Sequence, residues 1–162
     1  MQHRIGQGVD FHPLVVGTPL VIGGVSIPNS KGSKGHSDGD VLLHAIVDAI
    51  LGALSLGDIG QHFPSNDALW KNAPSQRFLA HTQHLMYEKG YAIVNIDATV
   101  ILQEPRLSSY VSEMQANIAR ILSIAVNTIS IKATTTDHLG FTGTGEGIAA
   151  TAIVLLIKTD EN

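Results

Sequence analysis

The stretch VNIDATVILQ, residues 94–103, has the cleanest alternation in the chain. Val94, Ile96, Ala98, Val100 and Leu102 fall on one side, and Asn95, Asp97, Thr99 and Gln103 on the other. A period of two predicts a strand with one face on a core. What flanks it sets the fold class. Before it, Ser75 to Lys89 reads as a helix closed by Gly90. After it, EPRLSS is a turn, and Val111, Met114, Ile118 and Ile121 recur at helical spacing. ISIKATT then alternates as a strand, TTDHLGFTGTGEG is a Gly/Thr loop, and the chain closes on a strand over residues 148–158. That last strand is apolar on both faces, which suits either a central strand or a subunit interface.

Working back toward the N-terminus, HRIGQGVDF, PLVIGG and VSIP read as short strands, followed by a Gly/Ser/Lys loop, NSKGSKG. A helix is expected from about Ser37 or Asp38, both good caps. Its apolar face holds Val41, Leu42, Ala45, Ala49 and Ala53, and it ends at LGDIG, where Gly57 and Gly60 break the period. QHFPSNDALWKNAP is a polar loop. Strands and helices interleave without repeat or linker, which predicts a single α/β (α+β) domain over residues 1–162.

Composition narrows the chemistry. The chain is 44% hydrophobic and 15% charged, a globular balance rather than a disordered one. A net charge of -4 leaves no basic footprint for nucleic acid. With no cysteine and 8 histidines, any metal must be held by His and carboxylates. The longest apolar run, IAATAIVLLI at 148–157, is too short for a membrane span, and MQHRIGQGVD has no leader character. The expectation is a cytoplasmic protein, or one of the plastid stroma if it is processed in a eukaryote.

In GVDFHPL, residues 8–14, Asp10 and His12 lie two apart and project from one strand face. His44 lies in the apolar helix that follows GHSDGD. Two His and a carboxylate make a three-ligand zinc set with an open fourth position, although each residue alone more often packs or caps. His36, Ser37, Asp38 and Asp40 crowd the helix start, where free N–H groups suit a phosphate, with metal countering the acids. The Thr-rich strand end before Asp137 and the Arg106 turn are further candidate phosphate contacts, although such Gly/Thr loops are usually plain turns. Asp137 is a candidate for a hard cation such as magnesium, and Asp58 a candidate acceptor for substrate hydroxyls.

GVDFH, GHSDGDVLLHAIVDAILGALSLGDIGQHFP, GYAIVNIDATVILQEPRL and IKATTTDHLGFTGTGEGIAA occur in this order across nearly the whole chain. Together they resemble the 2-C-methyl-D-erythritol 2,4-cyclodiphosphate synthase family of non-mevalonate isoprenoid synthesis, and SDGDVLLH at 37–44 looks like its signature. The resemblance implies a lyase that cyclises 4-diphosphocytidyl-2-C-methyl-D-erythritol 2-phosphate and releases CMP. It also implies a homotrimer with sites between subunits, each subunit a four-stranded mixed sheet layered against helices. Nucleic acid and membrane are not expected as partners.

Carried over by position, Asp10, His12 and His44 resemble the zinc ligands, one ion per subunit, and Asp137 the ligand of magnesium or manganese. His36 and Thr135 match the transition-state stabilisers, and Ser37 accompanies His36 at the phosphate. Asp58, Ile59 and Gly60, with Phe63, Pro64, Ser65, Asn66 and Asp67, match the erythritol segments. Leu102, Gln103, Glu104, Pro105, Arg106, Leu107 and Ser108, with Thr134 and Thr136, match the cytidine site across the subunit boundary. Phe141 and Thr144 match a channel along the trimer axis. The chain departs from the family pattern in having Asp137 for Glu, Thr144 for Arg and Arg106 for the more usual Lys. The loss of charge at Thr144 puts isoprenoid diphosphate binding in that channel in question. Rival readings are a zinc phosphohydrolase and a non-catalytic trimeric binding module.

Overall fold

The strand expected at HRIGQGVDF runs on past Phe11. In the computed structural model, which describes residues 2–35, 37–70 and 72–159, β1 spans His3–Val16. A hairpin of β2 (Leu20–Ile22) and β3 (Val25–Ile27) follows, then β4 (Lys31–Ser33). Helix α1 (Val41–Ala53), one-turn α2 (Ile59–His62) and α3 (Ser75–Glu88) lead to β5 (Tyr91–Ile101). Helix α4 (Val111–Leu122), β6 (Ile129–Thr134), one-turn α5 (Gly140–Gly143) and β7 (Gly147–Lys158) complete the order.

The sheet is mixed and runs β4-β1-β7-β5-β6, with only β5 and β6 parallel. It has five strands where four were expected. The extra one, β4, lies inside NSKGSKG, whose composition signals a loop. The far end of β1 offers backbone groups that need partners, and Leu14, Val15 and Val16 find them in Ser33, Gly32 and Lys31. The mixed α/β class holds.

Of the two readings of the last strand, the structure bears out the central one: β7 pairs with β1 on one edge and β5 on the other. Its Ala150, Ala152, Val154 and Leu156 are buried. The opposite face is less covered, and Ile153 there is 44% exposed. The alternation of residues 94–103 survives with one exception. Ile96, Ala98, Val100 and Leu102 are buried, but Val94 is exposed. It is the extra residue of a bulge between Ile93 and Asn95, which breaks the period there.

Helix α1 is buried on nearly all sides, as its apolar sequence demands. It starts later than Ser37 or Asp38, because Gly39 turns the chain through a left-handed φ of 68°. Asp40 is the actual cap, accepting from Leu43 N–H at 3.0 Å. Its carboxylate also accepts from Gly23 N–H (2.9 Å) and Gly24 N–H (2.6 Å), tying the β2–β3 turn to the helix. Burial pushes the Asp40 carboxyl up to about 6 despite those three donors. The helix lies directly on β1. A Cβ at Gly8 would fall 1.9 Å from the Ala45 carbonyl oxygen, and one at Gly6 would fall 1.9 Å from that of Ala49. This contact brings His44 to the face that carries Asp10 and His12.

Among the described residues no helix is long and apolar enough to cross a membrane.

Candidate metal centre and substrate clefts

Asp10 and His12 continue the β1 face of Gly6 and Gly8, so both point toward α1. His44, in the first turn of α1, comes down between them. Asp10 Oδ2 lies 2.8 Å from His12 Nε2 and 3.1 Å from His44 Nδ1, and the two nitrogens are 3.2 Å apart. Ligands around a tetrahedral zinc, at about 2.0–2.1 Å from the ion, stand roughly 3.3 Å from one another. The three donor atoms thus form one triangular face of such a site and leave a fourth position free.

The tautomers support this fit. His12 Nδ1 faces the Lys34 carbonyl oxygen at 3.2 Å, and a carbonyl only accepts, so Nδ1 carries the proton and Nε2 offers its lone pair to the cluster. His44 Nε2 faces Ser75 Oγ at 2.8 Å on the side away from the cluster. Burial would raise the Asp10 carboxyl, but hydrogen bonds and charge from His12 and His44 overcome it and hold it at about 2. Burial would likewise lower His12, yet the bond to Asp10, its charge and the Lys34 carbonyl raise it above its ordinary value.

A cleft of about 550 Å³ opens over the triad. Ser37, Ile59, Gly60, Phe63, Pro64, Ser65 and Asn66 line it. Trp70 and Phe78 also line it and were not anticipated. Their signal was weak, since Phe78 reads as an ordinary core position of a helix and Trp70 sits in a polar loop. Asp58 and Asp67 are absent from the lining. Asp58 caps α2 through Gln61 N–H at 3.0 Å, and Asp67 accepts from Leu69 N–H at 2.9 Å. His36 lies outside the described residues.

A second cleft, of about 820 Å³, is lined by Leu102, Gln103, Glu104, Pro105, Arg106, Leu107 and Ser108 with Thr134 and Thr135. No lining residue is common to the two clefts. Thr136 lines neither; its Oγ1 donates to the Leu139 carbonyl at 2.6 Å and pairs with Thr142. Asp137 stands exposed beside Thr135, whose hydroxyl donates to its carboxylate at 3.3 Å, and takes a left-handed φ of 51°. It is no part of the Asp10–His12–His44 cluster. Phe141 packs edge-on against Phe11, with ring centroids 6.0 Å apart. Thr144 borders a smaller cleft with Lys31, Gln103, Glu104 and His138, and its hydroxyl donates to the Glu146 carboxylate at 2.7 Å.

This arrangement has close counterparts among known proteins. The family model described as YgbB family matches residues 3–157. The 2-C-methyl-D-erythritol 2,4-cyclodiphosphate synthase of Geobacillus kaustophilus is 57% identical over 156 residues, 96% of this chain and 99% of the relative. A solved structure of IspF from Plasmodium falciparum in complex with CDP superposes with a TM-score of 0.87 at 40% identity, covering 98% of this chain and 97% of the other. The bifunctional IspDF of Campylobacter jejuni superposes with a TM-score of 0.94 at 43% identity. There this chain is covered over 98% of its length but spans only 43% of the larger protein. The chain belongs to the YgbB family, among relatives named as 2-C-methyl-D-erythritol 2,4-cyclodiphosphate synthases.

Proposed function

We infer that the chain is a metal-dependent lyase that closes 4-diphosphocytidyl-2-C-methyl-D-erythritol 2-phosphate into 2-C-methyl-D-erythritol 2,4-cyclodiphosphate and releases CMP. The observation that carries this reading is the convergence of Asp10, His12 and His44 on one point, within a chain 57% identical to a relative of that name. When bound, zinc at this triad supplies a Lewis acid that polarises the β-phosphate, while magnesium or manganese facing Asp137 neutralises the diphosphate. The chain's own residues do the positioning. Ser37, which lines the metal cleft, offers a hydroxyl to the phosphate, and His36 and Thr135 donate to the charge that develops as the ring closes. The Ile59–Gly60 and Phe63–Asn66 walls hold the erythritol unit, and Asp58 and Asp67 orient the caps beside it. The Leu102–Ser108 turn, with Thr134 and Thr136 behind it, holds the cytidine. Catalysis is then chiefly orientation and electrostatics, with no protein nucleophile.

The two clefts join in a homotrimer, each metal cleft facing a nucleotide cleft of the neighbouring subunit. Support comes from the sheet face turned away from α1. Ile5 is 71%, Val9 42%, Phe11 58% and Ile153 44% exposed there, a row that isolated surfaces seldom carry. Sedimentation is expected to give the mass of three chains, and a fully active monomer would sink the shared site. The bounds 1–162 form one catalytic domain working in the cytoplasm. Phosphorus NMR of the products tests the reaction itself. A cyclic diphosphate with stoichiometric CMP is expected, whereas a linear phosphate product would make the chain a zinc phosphohydrolase.

A further inference from the structure

Ser75 is the first residue of α3 and is wholly buried, though its sequence position suggests only a helix start. Its Oγ stands between two groups. On one side lies His44 Nε2, at 2.8 Å; on the other is the Asp38 carboxylate, to which the hydroxyl donates. Ser75 N–H donates to the second carboxylate oxygen at 3.1 Å, so Asp38 also closes the N-terminus of α3. A hydroxyl has one hydrogen and a carboxylate accepts only. With that hydrogen committed to Asp38, Ser75 Oγ has only lone pairs to offer His44, so the 2.8 Å bond between them requires the proton on Nε2. Ser37 Oγ also reaches Nε2, at the longer distance of 3.3 Å.

Asp10 pulls the other way. Its Oδ2 lies 3.1 Å from His44 Nδ1 and would accept a proton from it, which would close the ring nitrogen to a cation. The contest is settled by a serine 31 residues further along the chain, held in turn by Asp38. We propose that Asp38 and Ser75 form a positioning relay that keeps the His44 proton on Nε2 and so holds Nδ1 open for the metal. The proposal rests on the zinc reading of the Asp10–His12–His44 cluster. Neither residue touches the reacting atoms, and both act through His44.

The test compares zinc affinity, by chelator competition on the purified protein, for wild type, Ser75→Ala, Asp38→Asn and the double variant, with thermal melts to confirm folding. Asn presents an NH₂ where a carboxylate oxygen was, which frees the Ser75 hydrogen to turn toward Nε2. Each single change is expected to weaken zinc binding about 10–100-fold. The double is expected to be no weaker than the worse single, because the two act in series. Ser75→Thr, which keeps the hydroxyl, is expected to retain most of the affinity. In zinc-loaded wild type, the His44 Nε2 proton is expected as a slowly exchanging resonance. Its absence overturns the relay even if the variants fail to fold, as do unchanged affinities in folded variants or losses that simply add. A wild-type chain that binds no zinc overturns the metal reading, and the relay with it.

Discussion

The two clefts are held in different ways. Around the metal triad both imidazoles are fixed from behind, His12 by the Lys34 carbonyl and His44 by Ser75 and Ser37, and His44 is only 9% exposed. In the second cleft Arg106, Thr134 and Thr135 stand exposed, as does neighbouring Asp137, whose side chain meets little beyond the Thr135 hydroxyl. One chain therefore braces its metal side from behind and leaves the second cleft open, the arrangement the proposed shared site calls for. Pre-organisation of this kind puts the cost of ordering the ligands into folding rather than binding. The contrast predicts large, binary effects at the triad and graded ones in the second cleft.

The largest effect is expected from the triad. Asp10→Ala or His44→Ala removes one of three ligands and with it the ion, for a loss of about 10³-fold or more in turnover, roughly 4 kcal/mol. Elemental analysis beside a CMP-release assay checks both halves. One zinc per chain in either variant would strike that residue from the ligand set.

Next is the contact that builds the triad. At Gly8 a methyl group would sit 1.9 Å from the Ala45 carbonyl oxygen, so Gly8→Ala must lift α1 from β1. Overpacking of that order costs about 3 kcal/mol, or roughly 6–12 °C in melting temperature for a domain of this size. Because Ala45 is adjacent to His44, zinc affinity should fall with it. An unchanged melt with unchanged zinc binding would show that the helix and strand do not register the site.

How far the sequence revealed these regions follows from the range of the forces involved. Asp10 and His12 were legible because strand alternation is local and puts i and i+2 on one face. Met114 and Ile118 were legible for the same reason at helical period, and both are fully buried. The start of α1 was misplaced by a few residues, since Ser37, Asp38 and Asp40 all cap well in isolation. Which one does so is decided by Gly39 and by the distant Gly23–Gly24 turn that binds Asp40. β4 was hidden because loop-like residues pair when a neighbouring strand leaves its edge open. Ser75 gave no local sign of its role, as its partners Asp38 and His44 reach it only through tertiary packing.

A smaller effect is expected at Asp137, the residue proposed to face magnesium. A carboxylate one methylene shorter than Glu retreats by about 1.5 Å, and magnesium readily keeps waters that can bridge such a gap. Asp137→Ala should keep full zinc content yet lose about 10²-fold in turnover, roughly 2.7 kcal/mol. Asp137→Glu should keep or improve turnover and lower the magnesium needed. Full turnover by the alanine variant in limiting magnesium would reduce Asp137 to a turn residue of the Thr134–Gly140 loop.

The smallest effect is expected at Arg106. Arginine outperforms lysine when its planar fork is held for two parallel bonds to one anion. That advantage needs a neighbour to fix the guanidinium before the ligand arrives. Arg106 is exposed at the rim of the second cleft, on the turn that starts where β5 ends. A side chain left free in this way meets a phosphate much as a flexible point charge does, and solvent screens most of the difference. Arg106→Lys should therefore change KM by about twofold, near 0.5 kcal/mol, and leave kcat alone. Arg106→Ala should raise KM more and still spare the zinc. A tenfold loss in the lysine variant would mean that the fork is held after all. With no such holder among the described residues, the proposed neighbouring subunit would be the source of the group that holds it, and the contrast between the two clefts would narrow to one of assembly.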